Sequence, residues 1–313
     1  MQKSSLGGAE LQNSSSTTAL RVEGLPYSSY VANIVFNGCL CYSTIVLNIT
    51  TICALRKTVL ISKQLRILLL NLALSDLAVG VLAQPLYIAY LAGELRYKIP
   101  DPTTYIVSSL IWNILYLSSF FNILALHADR FAAIHMPLRY SNLVTCKRTA
   151  IAVIAIWLFN ILLVSFSVSL TPPRSRISLV IFDIIVFFCL ITSTWSSYKN
   201  YLTMRRHKME IQAQVQQVAQ NTSVENHARL RKSTYSTFWI YLIFCVCYLP
   251  NVLIEIVDMV YGYGSASTVI HTMNIYLVTL MFLNSSLNPV IYCWKMRHIR
   301  HTILGLLQSI SRR

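Results

Sequence analysis

Seven apolar runs, each long enough to cross a lipid bilayer as one helix, decide what this chain can fold into. They extend from Tyr30 to Leu55, Leu65 to Ala92, Tyr105 to His127, Ala150 to Leu170, Leu179 to Tyr201, Tyr235 to Tyr261 and Val269 to Trp294, with short polar segments between them. A helix needs roughly 20 apolar residues to cross about 30 Å of hydrocarbon, and in lipid every backbone N–H and C=O must be satisfied within the protein. The expectation is therefore an all-α membrane protein with a seven-transmembrane helix bundle over residues 29–294. A tail over 1–28 precedes it, and 295–313 follow as a short amphipathic eighth helix and tail. That last segment, beginning "KMRHIRHTILGLLQSI", is too charged on one side to span and reads as a helix lying on the membrane surface. Composition agrees, since 55% hydrophobic residues, 12% charged residues and a mean hydropathy of +0.55 lie outside the range of ordinary soluble domains.

Lys and Arg are retained on the cytoplasmic side of short loops, and here most of the 26 fall on one side. Arg56, Lys57, Lys63 and Arg66 share it with Arg139, Lys147, Arg148, Arg205, Arg206, Lys208 and the Lys295 to Arg300 cluster, whereas Lys3, Arg21, Arg96, Lys98, Arg174 and Arg176 lie opposite. The N-terminus is expected outside and the C-terminus inside, as a multi-pass protein of the plasma membrane. The formal charge of +15 is this asymmetry facing anionic lipid, so nucleic acid is excluded as a partner. Residues 1–24 lack the apolar core of a cleaved signal peptide, which leaves insertion to the first span. Asn13 heads an Asn-Ser-Ser triplet on the outer side and is the candidate glycosylation site. Seven cysteines fall in spans or at their ends and Cys146 in an inner loop, so no outer-loop disulfide is expected.

Ionisable residues inside spans mark function, because each costs several kcal/mol unless it faces a partner or water. Asp76 in "LNLALSDLAVG", the adjacent Asp129 and Arg130 in "ALHADRF", Asp183 in "LVIFDIIVFF" and Glu255 in "PNVLIEIVDMV" are the cases. Their setting resembles the rhodopsin-like, class A G-protein-coupled receptors across all seven spans. Asn48 stands at the first-span Asn, "LNLALSD" matches the second-span pattern, and "DRF" matches the Asp-Arg-Tyr triplet. Trp157 matches the fourth-span Trp, "FCVCYLP" resembles Phe-x-x-Cys-Trp-x-Pro, and "NSSLNPVIY" contains Asn-Pro-x-x-Tyr in full.

That resemblance implies roles. Asp129 holds the Arg130 guanidinium at the inner mouth as a latch, released when the G protein binds. Tyr292 and Tyr198 or Tyr201 are the hydroxyls expected to hold Arg130 afterwards, while Phe244, Tyr248, Pro250 and Pro289 belong to the switch that moves the helices. The usual inner carboxylate of the sixth span is missing from "ARLRKST", which predicts raised basal activity. Asp76, Ser119, Asn284, Ser285 and Asn288 are expected to form an allosteric sodium site, and a hard cation suits one carboxylate with hydroxyl and amide oxygens. No other cofactor is expected.

Helical arithmetic places Trp112 on the face of Arg130, five turns and about 27 Å away. Phe244, Tyr248, Asn251 and Glu255 share one stripe of the sixth span at i, i+4, i+7 and i+11. Trp112, Tyr116, Asp183, Asn251 and Glu255 are the candidate ligand pocket in the outer half, with the two acids suited to a cationic ligand. Tyr105 occupies the place of the usual third-span Cys, Tyr248 that of the usual Trp, and the fifth span lacks Pro. These departures resemble the melanocortin-receptor branch and its lipid-receptor neighbours, although Asn288 stands where melanocortin receptors carry Asp. The function implied is a G-protein-coupled receptor with a heterotrimeric G protein and arrestin as partners, and a small-molecule, peptide or lipid ligand. An opsin is disfavoured because the seventh span has no Lys, an enzyme because no nucleophile and base are spaced for catalysis, and a transporter or channel because it leaves the Asp129-Arg130 pair without work.

Overall fold

The computed structural model describes residues 27–58, 61–97, 102–169, 186–203, 205–206, 221–261 and 268–311. The bundle helices are α1 (Tyr27–Lys57), α2 (Lys63–Tyr97), α3 (Pro102–His135), α4 (Cys146–Ser169), α5 (186–203), α6 (Asn221–Tyr261) and α7 (Thr268–Lys295). A short loop helix, Pro137–Leu143, joins α3 to α4, and α8 (Arg297–Ser311) follows α7. Among the described residues there is no strand, and six helices are long and apolar enough to cross a membrane. The fifth run is described only from residue 186, so Asp183 lies outside the described residues, as do Asn13 with the N-terminal tail and the outer loop beyond α4.

Several helices overrun the apolar stretches that announce them. α3 continues past His127 to His135, and α6 begins at Asn221, inside polar sequence. Hydropathy reports the thickness of the hydrocarbon, whereas a helix ends where its backbone bonds stop propagating. Proline sets some of the local geometry: Pro102 and Pro137 sit at helix starts, while Pro250 and Pro289 lie inside α6 and α7.

Pro85 shapes α2 most visibly. It has no N–H to donate, and the helix widens just before it into a π turn over Val79–Ala83, where the Gln84 N–H reaches back to the Val79 carbonyl. The Gly80 carbonyl loses its usual partner and accepts instead from Cys41 Sγ of α1 at 3.1 Å. Such contact needs glycine, because a Cβ on Gly80 would lie 3.0 Å from Ile45 Cγ1 and 3.2 Å from Thr44 Cγ2.

Two apolar clusters fill the bundle. The inner one gathers Leu65, Leu69, Leu72, Ile123, Leu126, Ile240, Phe244 and Tyr292, and it also takes Ile299 and Ile303 of α8. The outer one gathers Leu40, Val79, Ala83, Tyr87, Leu91, Leu115, Ile275 and Phe282. Buried Asn48, Asp76, Ser119, Asn284, Ser285 and Asn288 form a polar layer between them. Exposed Phe36, Ile154, Leu158, Leu162, Phe166 and Phe188 cover the outside, an apolar surface that water would not tolerate but lipid does.

Candidate functional site

The inner mouth is built on α3. Adjacent Asp129 and Arg130 are both buried, with Arg130 Nε donating to Asp129 Oδ2 at 2.9 Å and an Arg130 Nη2 contact to the same oxygen. The other carboxylate oxygen, Oδ1, accepts from the Tyr140 hydroxyl at 2.7 Å. Tyr140 comes from the loop helix, started by Pro137 at its first turn. Burial, and then the neighbouring carboxylate, push its phenol well above the ordinary tyrosine range, so it stays a donor at physiological pH. Nothing in helical spacing pointed to Tyr140, because it lies in a separate element and meets Asp129 only after the chain turns.

Beside Arg130 lies a cavity of about 20 Å³ lined also by His127, Ser197, Asn200, Tyr201 and Thr234. That is room for a single water. His127 Nδ1 and Ser197 Oγ are 3.1 Å apart and join α3 to α5, and the Tyr241 ring of α6 stands edge-on against His127 at 5.0 Å. Of the two candidate tyrosines on α5, Tyr201 lines the cavity with Arg130, whereas Tyr198 is 60% exposed and lines a groove on the outside of the bundle. The two lie three residues apart, a net turn of only about 60° around the helix, and Tyr201, itself 45% exposed, falls on the side nearer Arg130. Tyr292 is fully buried, and its hydroxyl has no hydrogen-bond partner among the described residues.

In the polar layer Asn288 Nδ2 donates to Asp76 Oδ2 at 2.7 Å. Asn48 does not reach Asp76; its amide donates to the carbonyls of Thr44 at 2.9 Å and Ser285 at 3.0 Å. Ser119 pairs with Ser75 at 3.2 Å. Among the described residues, Asp76 Oδ1, Asn48 Oδ1, Asn288 Oδ1 and both ends of the Asn284 amide are buried without a hydrogen-bond partner. A cluster of unpartnered oxygens around one carboxylate fits a hard cation, or water held in its place.

Toward the outer mouth, aromatic rings link α3 to α6. Tyr116 stacks on Tyr248 at 4.7 Å, Tyr248 on Phe244 at 4.1 Å, and Phe244 on Phe120 at 5.3 Å between centroids. Pro250 is half-buried and immediately precedes Asn251, whose amide donates to Glu255 Oε1 at 2.8 Å, so the stripe that is buried at Phe244 and Tyr248 ends on an exposed acid. Trp112 packs on Tyr87 at 5.9 Å, and the Tyr87 hydroxyl donates to the Ile275 carbonyl of α7. A further contact joins the outer ends of α2 and α7, where His271 Nε2 lies 2.6 Å from Glu94 Oε1 and 3.4 Å from the Tyr30 hydroxyl. Glu94 lies just beyond the second apolar run, which ends at Ala92, and nothing in the sequence paired it with His271. All eight cysteines are described and are free thiols.

The family described as 7 transmembrane receptor (rhodopsin family) matches residues 47–292. The chain is 23% identical to the melatonin receptor type 1B of Gallus gallus, over 77% of this chain and 85% of that protein. It is 26% identical to the adenosine receptor A2b of Gallus gallus, over 77% and 78%, and 26% identical to the melanocortin receptor 4 of Danio rerio, over 82% and 77%. With the family match spanning the bundle from α1 to the end of the Asn-Pro-x-x-Tyr segment, this chain belongs to the rhodopsin family of seven-transmembrane, G-protein-coupled receptors.

Proposed function

We propose that the receptor sits in the plasma membrane with its N-terminus outside, binds an extracellular ligand in the outer half of the bundle and activates a heterotrimeric G protein at the Arg130 mouth. The observation that carries this reading is the closed state of Asp129, both of whose oxygens are engaged, by Arg130 and by Tyr140. An ion pair so satisfied is stable at rest, yet it lies against a cavity between α3, α5 and α6. Separation of those helices frees the guanidinium to face the G protein, with Tyr201, which lines that cavity, and Tyr292 as the hydroxyls proposed to hold it and Tyr198 as the weaker candidate. The aromatic chain Tyr116, Tyr248 and Phe244 connects the outer half to that layer, with Pro250 and Pro289 as the points where α6 and α7 bend. Arg139 in the loop helix, Arg148 at the start of α4 and Arg205 beyond α5 supply the basic surface for the G protein and for arrestin.

Asp76, Ser119, Asn284, Ser285 and Asn288 are proposed as the sodium site. The cation would occupy the unpartnered oxygens of Asp76, Asn284 and Asn288 and stabilise whichever helix arrangement keeps them together. Trp112, Tyr116, Asn251 and Glu255 are proposed to contact the ligand, with Asp183 as a further acid on the fifth span. Relatives named for melatonin, adenosine and melanocortin select no single ligand class. A ligand panel read against G-protein sensors, with Glu255→Gln as companion, tests both parts. For a cationic agonist the variant should lose about 2 kcal/mol of affinity, roughly 30-fold; an agonist indifferent to Glu255 removes that residue from the pocket.

A further inference from the structure

A groove of about 490 Å³ runs down the outside of the bundle between α5 and α6. Leu190, Tyr241 and Cys245 form its floor, and Phe187, Trp195 and Tyr198 stand along its α5 edge. The floor is apolar, and its hydroxyls find partners within the protein. The Thr194 and Tyr241 hydroxyls lie 2.6 Å apart and 2.8 and 2.9 Å from the Leu190 carbonyl, so their two protons are satisfied by that carbonyl and by the neighbouring hydroxyl. From Phe187 to Tyr198 the helix rises about 16 Å, close to half the roughly 30 Å hydrocarbon thickness, which is the reach of one acyl chain in one leaflet.

The end of the groove nearest Arg130 is charged. Lys199 is exposed there, with its Nζ folded over the Trp195 ring at 5.4 Å from the centroid. Arg206 follows Lys199, and Arg205 follows Tyr198, each two helical turns further on and exposed. Aromatic rings followed by basic side chains mark the depth at which a helix leaves hydrocarbon for the headgroups.

We propose that this groove is a binding site for an anionic phospholipid, with one acyl chain lying along Leu190, Tyr241 and Cys245 and the phosphate held by Lys199. Apolar volume alone would accept any chain; the charge at one end selects the headgroup. The site adjoins the signalling machinery, because Tyr241 forms the groove floor on one side and packs on His127, next to the Arg130 cavity, on the other. That consequence for signalling rests on the function proposed above, whereas lipid binding itself does not, so the test reads binding alone.

The full chain in phosphatidylcholine nanodiscs receives a minor fraction of phosphatidylserine with brominated acyl chains, or brominated phosphatidylcholine at the same fraction. Tryptophan emission is recorded for the parent and for Trp195→Phe, and the difference isolates Trp195 among the five tryptophans. The serine lipid should quench Trp195 more strongly, reflecting about five-fold enrichment at the groove. Lys199→Gln should abolish that excess, Lys199→Arg should keep it, and Lys63→Gln, which removes an exposed charge on α2, should leave it intact. Equal quenching by the two lipids overturns the proposal. So does an excess that survives Lys199→Gln, or one lost equally on Lys63→Gln, which would make it a property of the surface potential.

Discussion

At Asp129 both carboxylate oxygens are taken, one by Arg130 and one by Tyr140, so two separate changes should loosen the same latch. A hydrogen bond to a charged group contributes about 1.5 to 3 kcal/mol, and Tyr140→Phe removes one such bond while keeping the ring. Basal nucleotide exchange on the G protein should rise roughly ten-fold, and further for Asp129→Asn, which also discharges the acceptor. Unchanged basal exchange in Tyr140→Phe would show that the loop helix only packs. Asp76 yields a second prediction at this scale. Sodium should lower agonist affinity relative to the same concentration of a bulky organic cation, and agonist should lower sodium affinity by the same factor. Asp76→Asn should abolish the effect with the fold intact, since the amide is nearly isosteric; identical curves in both salts for the parent leave Asp76 a structural residue bonded to Asn288.

Among the elements, α2 shows how local chemistry sets packing. The π turn before Pro85 leaves the Gly80 carbonyl to Cys41 and brings α1 against the bare Gly80 backbone. Gly80→Val should therefore destabilise the receptor by about 1 to 3 kcal/mol through overpacking, read as a lower melting temperature in detergent, with Gly93→Val, which meets open space, as the comparison. Equal effects of the two would mean that β-branching, not contact with α1, sets the loss. The runs of apolar sequence announced the helices because burial in lipid demands them, and the motif residues announced Asp76, Asp129 and Arg130 because charge in a span is costly. They did not announce the faces. Tyr198 and Tyr201 sit in the same run with the same composition, and only the rotation of α5 against α3 separates the lipid-facing ring from the cavity-facing one. Tyr140 and the Glu94–His271 contact were equally silent, since each joins elements distant in sequence and leaves no periodic trace.

Across the whole molecule, two apolar clusters hold the helices together above and below a polar layer that packing alone does not satisfy. The unpartnered oxygens of Asp76 and Asn288 lie in that layer, with Arg130 paired to Asp129 at one end and the aromatic residues proposed to contact the ligand at the other. The central claim is that Arg130, once freed from Asp129, is the group through which the G protein is engaged. Its most direct test needs no ligand: basal nucleotide exchange in membranes at matched receptor amounts, for Asp129→Asn with and without Arg130→Ala. Asp129→Asn should raise exchange, and adding Arg130→Ala should return it to the level of membranes without receptor. A double variant that signals as strongly as Asp129→Asn alone would contradict it.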